Sequence, residues 1–294
     1  MNEDLINQHG KSTIQLIECP RDAMQGWKHI IPTKSKIEYI NTLLQVGFDT
    51  IDFGSFVSPK AIPQMADTAE VLSGLKLDYS NSKLLAIVAN TRGAEEAASH
   101  EKITYLGFPF SISPTFQLRN TNSTMEESLG RVEEISNLCA QKNKKLVVYL
   151  SMGFGNPYGD PYEENILLKW AAEMIYRGIS ILSLADTVGL ATPEQISFAL
   201  TTLITQYPNT QIGVHLHATP VNWESKLSAA AAAGCTRFDG ALKGFGGCPM
   251  AQDDLVGNMN TELMIAYFER KKQLTQLNEK ALNKSLELAS GIFI

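Results

Sequence analysis

The chain contains no run of 18 apolar residues, and Met1 to Lys11 is polar instead of a basic segment followed by an apolar core. Neither a membrane span nor a signal peptide is expected on that basis, and the sequence reads as that of a soluble, cytoplasmic protein. Cysteine is scarce. Cys19, Cys139, Cys235 and Cys248 are widely spaced with no C-x-x-C pair, so they make neither a disulfide framework nor a zinc-finger pattern. An excess of basic charge is also missing: the net charge of -6 offers no general field for nucleic acid. A local Lys/Arg cluster could still hold a phosphorylated ligand, and small molecules are the expected partners. No Gly-x-Gly-x-x-Gly follows the first strand, and Gly244-Phe245-Gly246-Gly247 comes too late in the chain to support nicotinamide binding. The 294 residues, 44% apolar and 19% charged, supply interior for one large domain or two small ones.

Short β-rich runs alternate with helical patterns along the sequence. Strands are expected at Thr13 to Glu18, Thr50 to Phe53, Leu84 to Ala89, Ile103 to Leu106, Leu146 to Leu150, Ile179 to Leu184, Gln211 to Val214 and Arg237 to Gly240. Helical segments between them include Lys34 to Val46, Thr124 to Gln141, Glu163 to Tyr176, Pro193 to Thr205 and Trp223 to Ala233. Ser123-Thr124-Met125-Glu126 resembles a capping box, and Thr192-Pro193-Glu194 places proline at a first helical position. Eight β-then-α units with near-continuous apolar strands predict a parallel sheet covered by helices, and the count of eight selects a closed (β/α)8 TIM barrel. A single α/β domain is expected, its barrel running from about 13 to 262. Two additional C-terminal helices, Glu262 to Lys272 and Asn278 to Ser290, would buttress it to about 292.

His215-Leu216-His217 ends the seventh strand, where residues i and i+2 leave on one face and can converge on one ion. Neutral imidazole is the commonest nitrogen ligand. The first strand ends in Glu18-Cys19-Pro20-Arg21-Asp22, so Asp22 can meet the histidine pair at the mouth where all eight strands end. Two imidazoles, a carboxylate and an amide oxygen suit Mg²⁺ or Mn²⁺ acting as a Lewis acid, with Zn²⁺ or Co²⁺ also admissible. After the eighth strand, Lys243-Gly244-Phe245-Gly246-Gly247-Cys248-Pro249-Met250 forms a glycine-rich loop at the same mouth, able to lie close to ligand or to open and shut. Its Cys248 is a candidate acid.

At these residues the sequence resembles the 3-hydroxy-3-methylglutaryl-CoA lyases, within the metal-dependent (β/α)8 lyases and Claisen-type synthases named for an Asp-Arg-Glu triad. Pro20-Arg21-Asp22-Ala23-Met24-Gln25 is similar to the family's Pro-Arg-Asp-Gly-Leu-Gln, and Ser55-Phe56-Val57-Ser58-Pro59-Lys60 with Pro63-Gln64-Met65 matches its second-strand segment. Asp186-Thr187-Val188-Gly189 with Thr192-Pro193, His215-Leu216-His217, Gly246-Gly247-Cys248-Pro249 and Gly257-Asn258 carry the rest, over about Ile14 to Glu262. The resemblance implies that Asp22, His215, His217 and Asn258 hold a divalent cation, that Arg21 stabilises an enolate oxygen, and that Cys248 protonates the carbanion carbon. It places Asp52, in the triad's glutamate position, and Asp186 with them, and leaves the hydroxyl base between His215 and Asp22. The implied reaction is retro-Claisen cleavage of 3-hydroxy-3-methylglutaryl-CoA to acetyl-CoA and acetoacetate, as in leucine degradation or ketone-body formation, with a homodimer as a family-level expectation.

Gln25, Lys28, Ser55 and Ser183 are candidates for substrate oxygens, and Lys28, Arg119 and Lys243 for CoA phosphates. Ser113, Phe116, Asn120 and Asn122 read as loop architecture more than ligand contacts, and Trp27, Trp170 and Trp223 as packing residues. Ile17, Asp52, Ala218 and Asn156 depart from the family pattern, and Glu18 would face away from the mouth on a regular strand. Alternative readings are a related carbon-carbon lyase or aldolase acting on another 3-hydroxyacyl-CoA or hydroxy-oxo acid, a Claisen synthase, or a catalytically silent metal-binding homologue.

Overall fold

The computed structural model describes residues 14–247 and 256–293, so Cys248 lies outside the described residues. Eight strands run in parallel: β1 (Gln15–Glu18), β2 (Thr50–Ser55), β3 (Lys83–Ile87), β4 (Ile103–Ser111), β5 (Lys145–Ser151), β6 (Ile181–Ala185), β7 (Gln211–His215) and β8 (Arg237–Gly240). Each pairs with the next, and β8 returns to β1 from Gln15↔Arg237 to Glu18↔Gly240, closing the (β/α)8 barrel. The helices among the described residues are α1 (Pro20–Gln25), α2 (Thr33–Leu43), α3 (Thr68–Ser73), α4 (Thr91–Ser99), α5 (Pro114–Thr121), α6 (Met125–Gln141), α7 (Glu164–Tyr176), α8 (Pro193–Gln206), α9 (Trp223–Ala232), α10 (Thr261–Arg270) and α11 (Glu279–Ile292).

Strand alternation divides the interior in two. Ile51, Phe53, Leu84, Leu106, Phe108, Val148, Leu182, Val214 and Phe238 join the core beneath the helices, each side chain contributing about 1.5–3 kcal/mol on burial. Leu85, Tyr105, Val147, Tyr149 and Ile181 form a separate apolar cluster inside the barrel. Polar side chains are buried inside the barrel as well: Asp52, Ser183, His215, Arg237 and Asp239.

Helix starts follow local chemistry, with one shift. The capping box before α6 uses Thr124 and Glu127, one residue later than Ser123 and Glu126, because the Ser123 hydroxyl is taken into a buried network with Gln117 and Ser128. Strand β4 runs five residues past the predicted Leu106, since Phe108 and Phe110 fill the core and Pro109 carries no N–H to orphan. Both C-terminal helices are present. Helix α11 packs on α2, and Phe293 beyond it contacts Trp27 (ring centroids 5.3 Å apart) and Phe245 (4.7 Å), fixing the base of the glycine-rich loop.

Glu18 takes the face expected of a regular strand, away from the mouth. It is fully buried and accepts hydrogen bonds from the Leu242 backbone N–H (2.9 Å) and the Thr261 hydroxyl (2.6 Å). Burial pushes its carboxyl up to about 8, against those two hydrogen bonds. The folded state therefore keeps a proton that the unfolded chain releases near its ordinary value of 4.5, so Glu18 makes stability fall as pH rises from about 4.5 to about 8. Glu18→Gln, which cannot ionise, is expected to flatten that slope in urea unfolding followed across the same pH range; an unchanged slope would show that Glu18 does not titrate there.

Candidate active site

The strands end together, and the turn after β1 starts α1 with Pro20 at a first-turn position, which brings Arg21 and Asp22 back over the barrel axis. Arg21 is almost wholly buried and acts as a fork. Its Nη1 donates to Asp22 Oδ1 at 2.9 Å, while Nε and Nη2 donate to Asp52 Oδ2 at 3.0 and 2.5 Å. The aspartate at the triad position thus reaches the guanidinium despite its shorter side chain. Burial, with the neighbouring Asp22 and Asp239 charges, lifts Asp52 to about 6 against the pull of Arg21, so it is ionised at neutral pH.

Asp22, His215 and His217 form a triangle whose ligand atoms all lie within 4.8 Å of one another. Asn258 joins it through an antiparallel bridge to His217 and donates Nδ2–H to Asp22 Oδ2 at 2.7 Å and to the Phe245 carbonyl at 2.8 Å. Its Oδ1 is buried with no hydrogen-bond partner. An orphaned amide oxygen beside a carboxylate and two imidazoles is the donor set a divalent cation requires, so these residues fit such an ion. Gly246 sits at φ 96°, where a Cβ would come within 2.7 Å of Asn258 Nδ2 and 2.8 Å of the Asp22 carbonyl; only glycine lets the loop lie on this cluster.

The electrostatics prepare the ligands differently. Burial raises Asp22, but Arg21, the two histidines and Asn258 outweigh it and hold the carboxyl below its ordinary value. Burial, with His215 and Lys226 nearby, drops His217 to about 3, so it is a neutral donor at working pH. For His215 burial is overcome by the hydrogen bond to Asp239 and by the Asp22 and Asp239 charges, and its pKa ends raised. Asp239 Oδ2 lies 3.4 Å from His215 Nδ1 and turns Nε2 toward Asp22, 3.9 Å away. Sequence reading missed Asp239. The signal was present in Arg237-Phe238-Asp239, whose alternation sends both charges into the barrel.

A cavity of about 460 Å³ opens above this cluster. Arg21, Asp22, Gln25, Ser55, His215 and His217 line its floor, and Gln25 Nε2 donates to Asp22 Oδ1 at 2.7 Å. Phe116, Asn120 and Asn122, read from sequence as loop architecture, line the same cavity together with Arg119, the candidate for CoA phosphates, and Asn122 ends α5 at φ 48°. Ser113 caps α5 and bonds Asp160. Three other candidates stand apart from the cavity lining. Ser183 lies beneath the floor with its hydroxyl on Asp239, Lys28 is exposed outside the cavity lining, and the Lys243 ammonium engages Ser290 on α11. Asp186 does not line the cavity either: its carboxylate accepts from the Lys226 ammonium at 2.7 Å and from the Ala191 N–H at 2.9 Å. Ala218 leaves its backbone N–H on the Gly257 carbonyl, and Asn156 shapes the loop to Asp160.

A closed parallel barrel whose C-terminal mouth gathers a carboxylate, two imidazoles, an amide oxygen and a buried guanidinium defines a barrel enzyme built around a cation pocket. Residues 14–288 match the family model described as HMGL-like, and the chain belongs to that family. It is 32% identical to the rat cytoplasmic 3-hydroxy-3-methylglutaryl-CoA lyase, over 94% of this chain and 77% of the relative. It is 33% identical to a hydroxymethylglutaryl-CoA lyase of Bacillus subtilis (strain 168), over 93% and 89%. A solved HMG-CoA lyase from A. baumannii, in complex with coenzyme A and 3-methylmalate, superposes with a TM-score of 0.88 at 30% identity, covering 96% of this chain and 91% of that one. The Bacillus subtilis HMG-CoA lyase structure gives 0.86 at 33% identity, covering 95% and 92%. No helix among the described residues is long and apolar enough to cross a membrane.

Proposed function

We propose that this protein cleaves 3-hydroxy-3-methylglutaryl-CoA to acetyl-CoA and acetoacetate. The observation that carries this reading is the Asp22–His215–His217 triangle adjoining the Arg21 guanidinium in the lining of one cavity, with Asn258 hydrogen-bonded to Asp22 beside it. Asp22, His215, His217 and Asn258 would hold the cation, with Mg²⁺ or Mn²⁺ favoured by the two oxygen donors. When bound it supplies Lewis acidity to the substrate's tertiary hydroxyl and a neighbouring oxygen.

The side chains account for the remaining steps. The hydroxyl proton passes to His215 or Asp22, each serving only while not fully committed to the cation, and the oxygen's electrons form the ketone of acetoacetate as the carbon-carbon bond breaks. The electron pair leaves as the thioester enolate, whose oxygen Arg21 stabilises with N–H groups remaining on Nη1 and Nη2. Asp52 holds that guanidinium in place. Cys248, which follows Gly246-Gly247 directly in the sequence, delivers the proton to the enolate carbon. Gln25 and Ser55, whose Oγ is buried without a partner, orient substrate oxygens, and Arg119 at the cavity's far arm faces the CoA side. By its resemblance to the family, the protein is a cytosolic homodimer that serves leucine breakdown.

Incubation with 3-hydroxy-3-methylglutaryl-CoA is expected to yield both products by mass spectrometry, to stop with EDTA, and to resume with Mg²⁺ or Mn²⁺. Absence of both products from folded, metal-replete protein would move the reading to another 3-hydroxyacyl-CoA or a hydroxy-oxo acid.

A further inference from the structure

Behind the histidine pair a buried lysine joins the segments that carry it. Lys226 lies on α9, on the side where that helix buries Leu227 and Ala230, and is 1% exposed. An ammonium in such a place loses its hydration and is tolerated only with its donors engaged. All three are matched by an acceptor: Asp186 Oδ2 at 2.7 Å, the His217 carbonyl at 2.8 Å and the Gly189 carbonyl at 3.0 Å.

Each acceptor belongs to backbone that carries or backs the cation pocket. The Asp186 N–H donates to the His215 carbonyl at 2.9 Å, tying the turn after β6 to the end of β7. Gly189, at φ 75°, lies so close to Val256 that a Cβ would meet its side chain at 2.9 Å. The segment that follows Val256 is stitched to the histidine strand by Ala218 N–H to the Gly257 carbonyl (3.0 Å) and Met259 N–H to the Leu216 carbonyl (2.9 Å), with Asn258 between them. The ammonium therefore stands where the β6 turn, the His217 backbone and the backing of Asn258 meet.

We propose that Lys226 is a positioning residue for the cation pocket: anchored by Asp186, its ammonium holds the His217 carbonyl and the turn after β6 so that His217 and Asn258 keep their cation-binding separation. This rests on the cation-site reading above. Asp186 cancels the lysine charge locally, so the effect on the pocket is one of geometry more than of field. Sequence alone hid the role, because position 226 reads as one more lysine on an amphipathic helix.

The test is Mn²⁺ binding, followed by the electron paramagnetic resonance of the free ion. Lys226→Met with Asp186→Asn conserves net charge and keeps a side-chain acceptor for the Ala191 N–H. It is expected to unfold cooperatively like the parent but to weaken Mn²⁺ binding by about 10–100-fold, the range for loss of an outer partner of a ligand. The comparison is Lys36→Met with Asp67→Asn, the same exchange at a second lysine–aspartate pair, 2.7 Å apart, whose buried lysine sits on α2 and whose aspartate is half-buried; it should leave Mn²⁺ affinity unchanged. Parent-like affinity in the Lys226 variant would overturn the proposal while the cation site stands. Equal weakening in both variants would assign the loss to general stability and overturn it too, and a parent that binds no Mn²⁺ would overturn the site reading itself.

Discussion

Arg21→Lys is expected to lower turnover by about 10²–10³-fold, the effect of removing one preorganised oxyanion donor, while divalent-cation affinity stays close to the parent's. The guanidinium bridges Asp22 and Asp52 with three nitrogens and still has N–H groups to spare. A lysine ammonium is a single centre and cannot keep both carboxylates and a free donor aimed at the developing enolate. Because that charge exists only as the carbon-carbon bond breaks, the loss should appear in kcat and in kcat/KM alike. Lysine is chosen to keep Asp22 and Asp52 compensated. Arg21→Met would strand two buried carboxylates at a cost of about 3–5 kcal/mol and confuse unfolding with catalysis. Steady-state kinetics beside a metal titration decides the matter: parent-like kcat in Arg21→Lys would remove the guanidinium from the chemical step.

His217→Ala is expected to lose the cation first and activity as a consequence. Burial holds His217 near a pKa of about 3, so no proton competes for its nitrogen at neutral pH and the cation loses a ready donor. The fall in affinity should exceed the roughly 100-fold that loss of an outer partner costs. Thermal unfolding with and without Mn²⁺ gives a readout independent of turnover. A ligand at 100 times its Kd stabilises the fold by about 2.7 kcal/mol, which the parent should show and the variant should lack. Equal stabilisation of the two proteins would take His217 out of the ligand set.

The fold was legible because near-continuous burial runs through the strands, as a helix-covered parallel sheet requires, and turn chemistry survives at Thr192-Pro193 and Thr124. Strand ends were less so: Gly107-Phe108-Pro109 carries a proline and a glycine that argue against a strand, yet the aromatic neighbours pull it into the core. At the site, Arg21, Asp22, His215 and His217 could be placed together because strand ends in a barrel share a face. Asp186 stands in a motif as conspicuous as theirs, but its carboxylate is consumed by Lys226. Motif reading sees residue types and positions along the chain, not which partner on a covering helix claims a side chain. Asp239 and Lys226 were hidden for the same reason, since each acts through partners on other elements: His215 on β7 for Asp239, and Asp186 and the His217 carbonyl for Lys226.

The cluster's groups enter from the turn after β1, the end of β7 and the segment after β8, adjacent around the ring although Asp22 and Asn258 are 236 residues apart. Strands β3 to β6 supply none of the four. The pocket therefore comes into being only when the last strand finds the first, the pairing with the greatest loop-closure entropy and among the slowest contacts for a parallel sheet to make. A cut between β4 and β5 would leave the carboxylates and guanidinium on one piece and the imidazoles and amide on the other. A cation held by these four residues would act as a clasp on the ring, drawing the folding equilibrium toward closure by the free energy of its own binding.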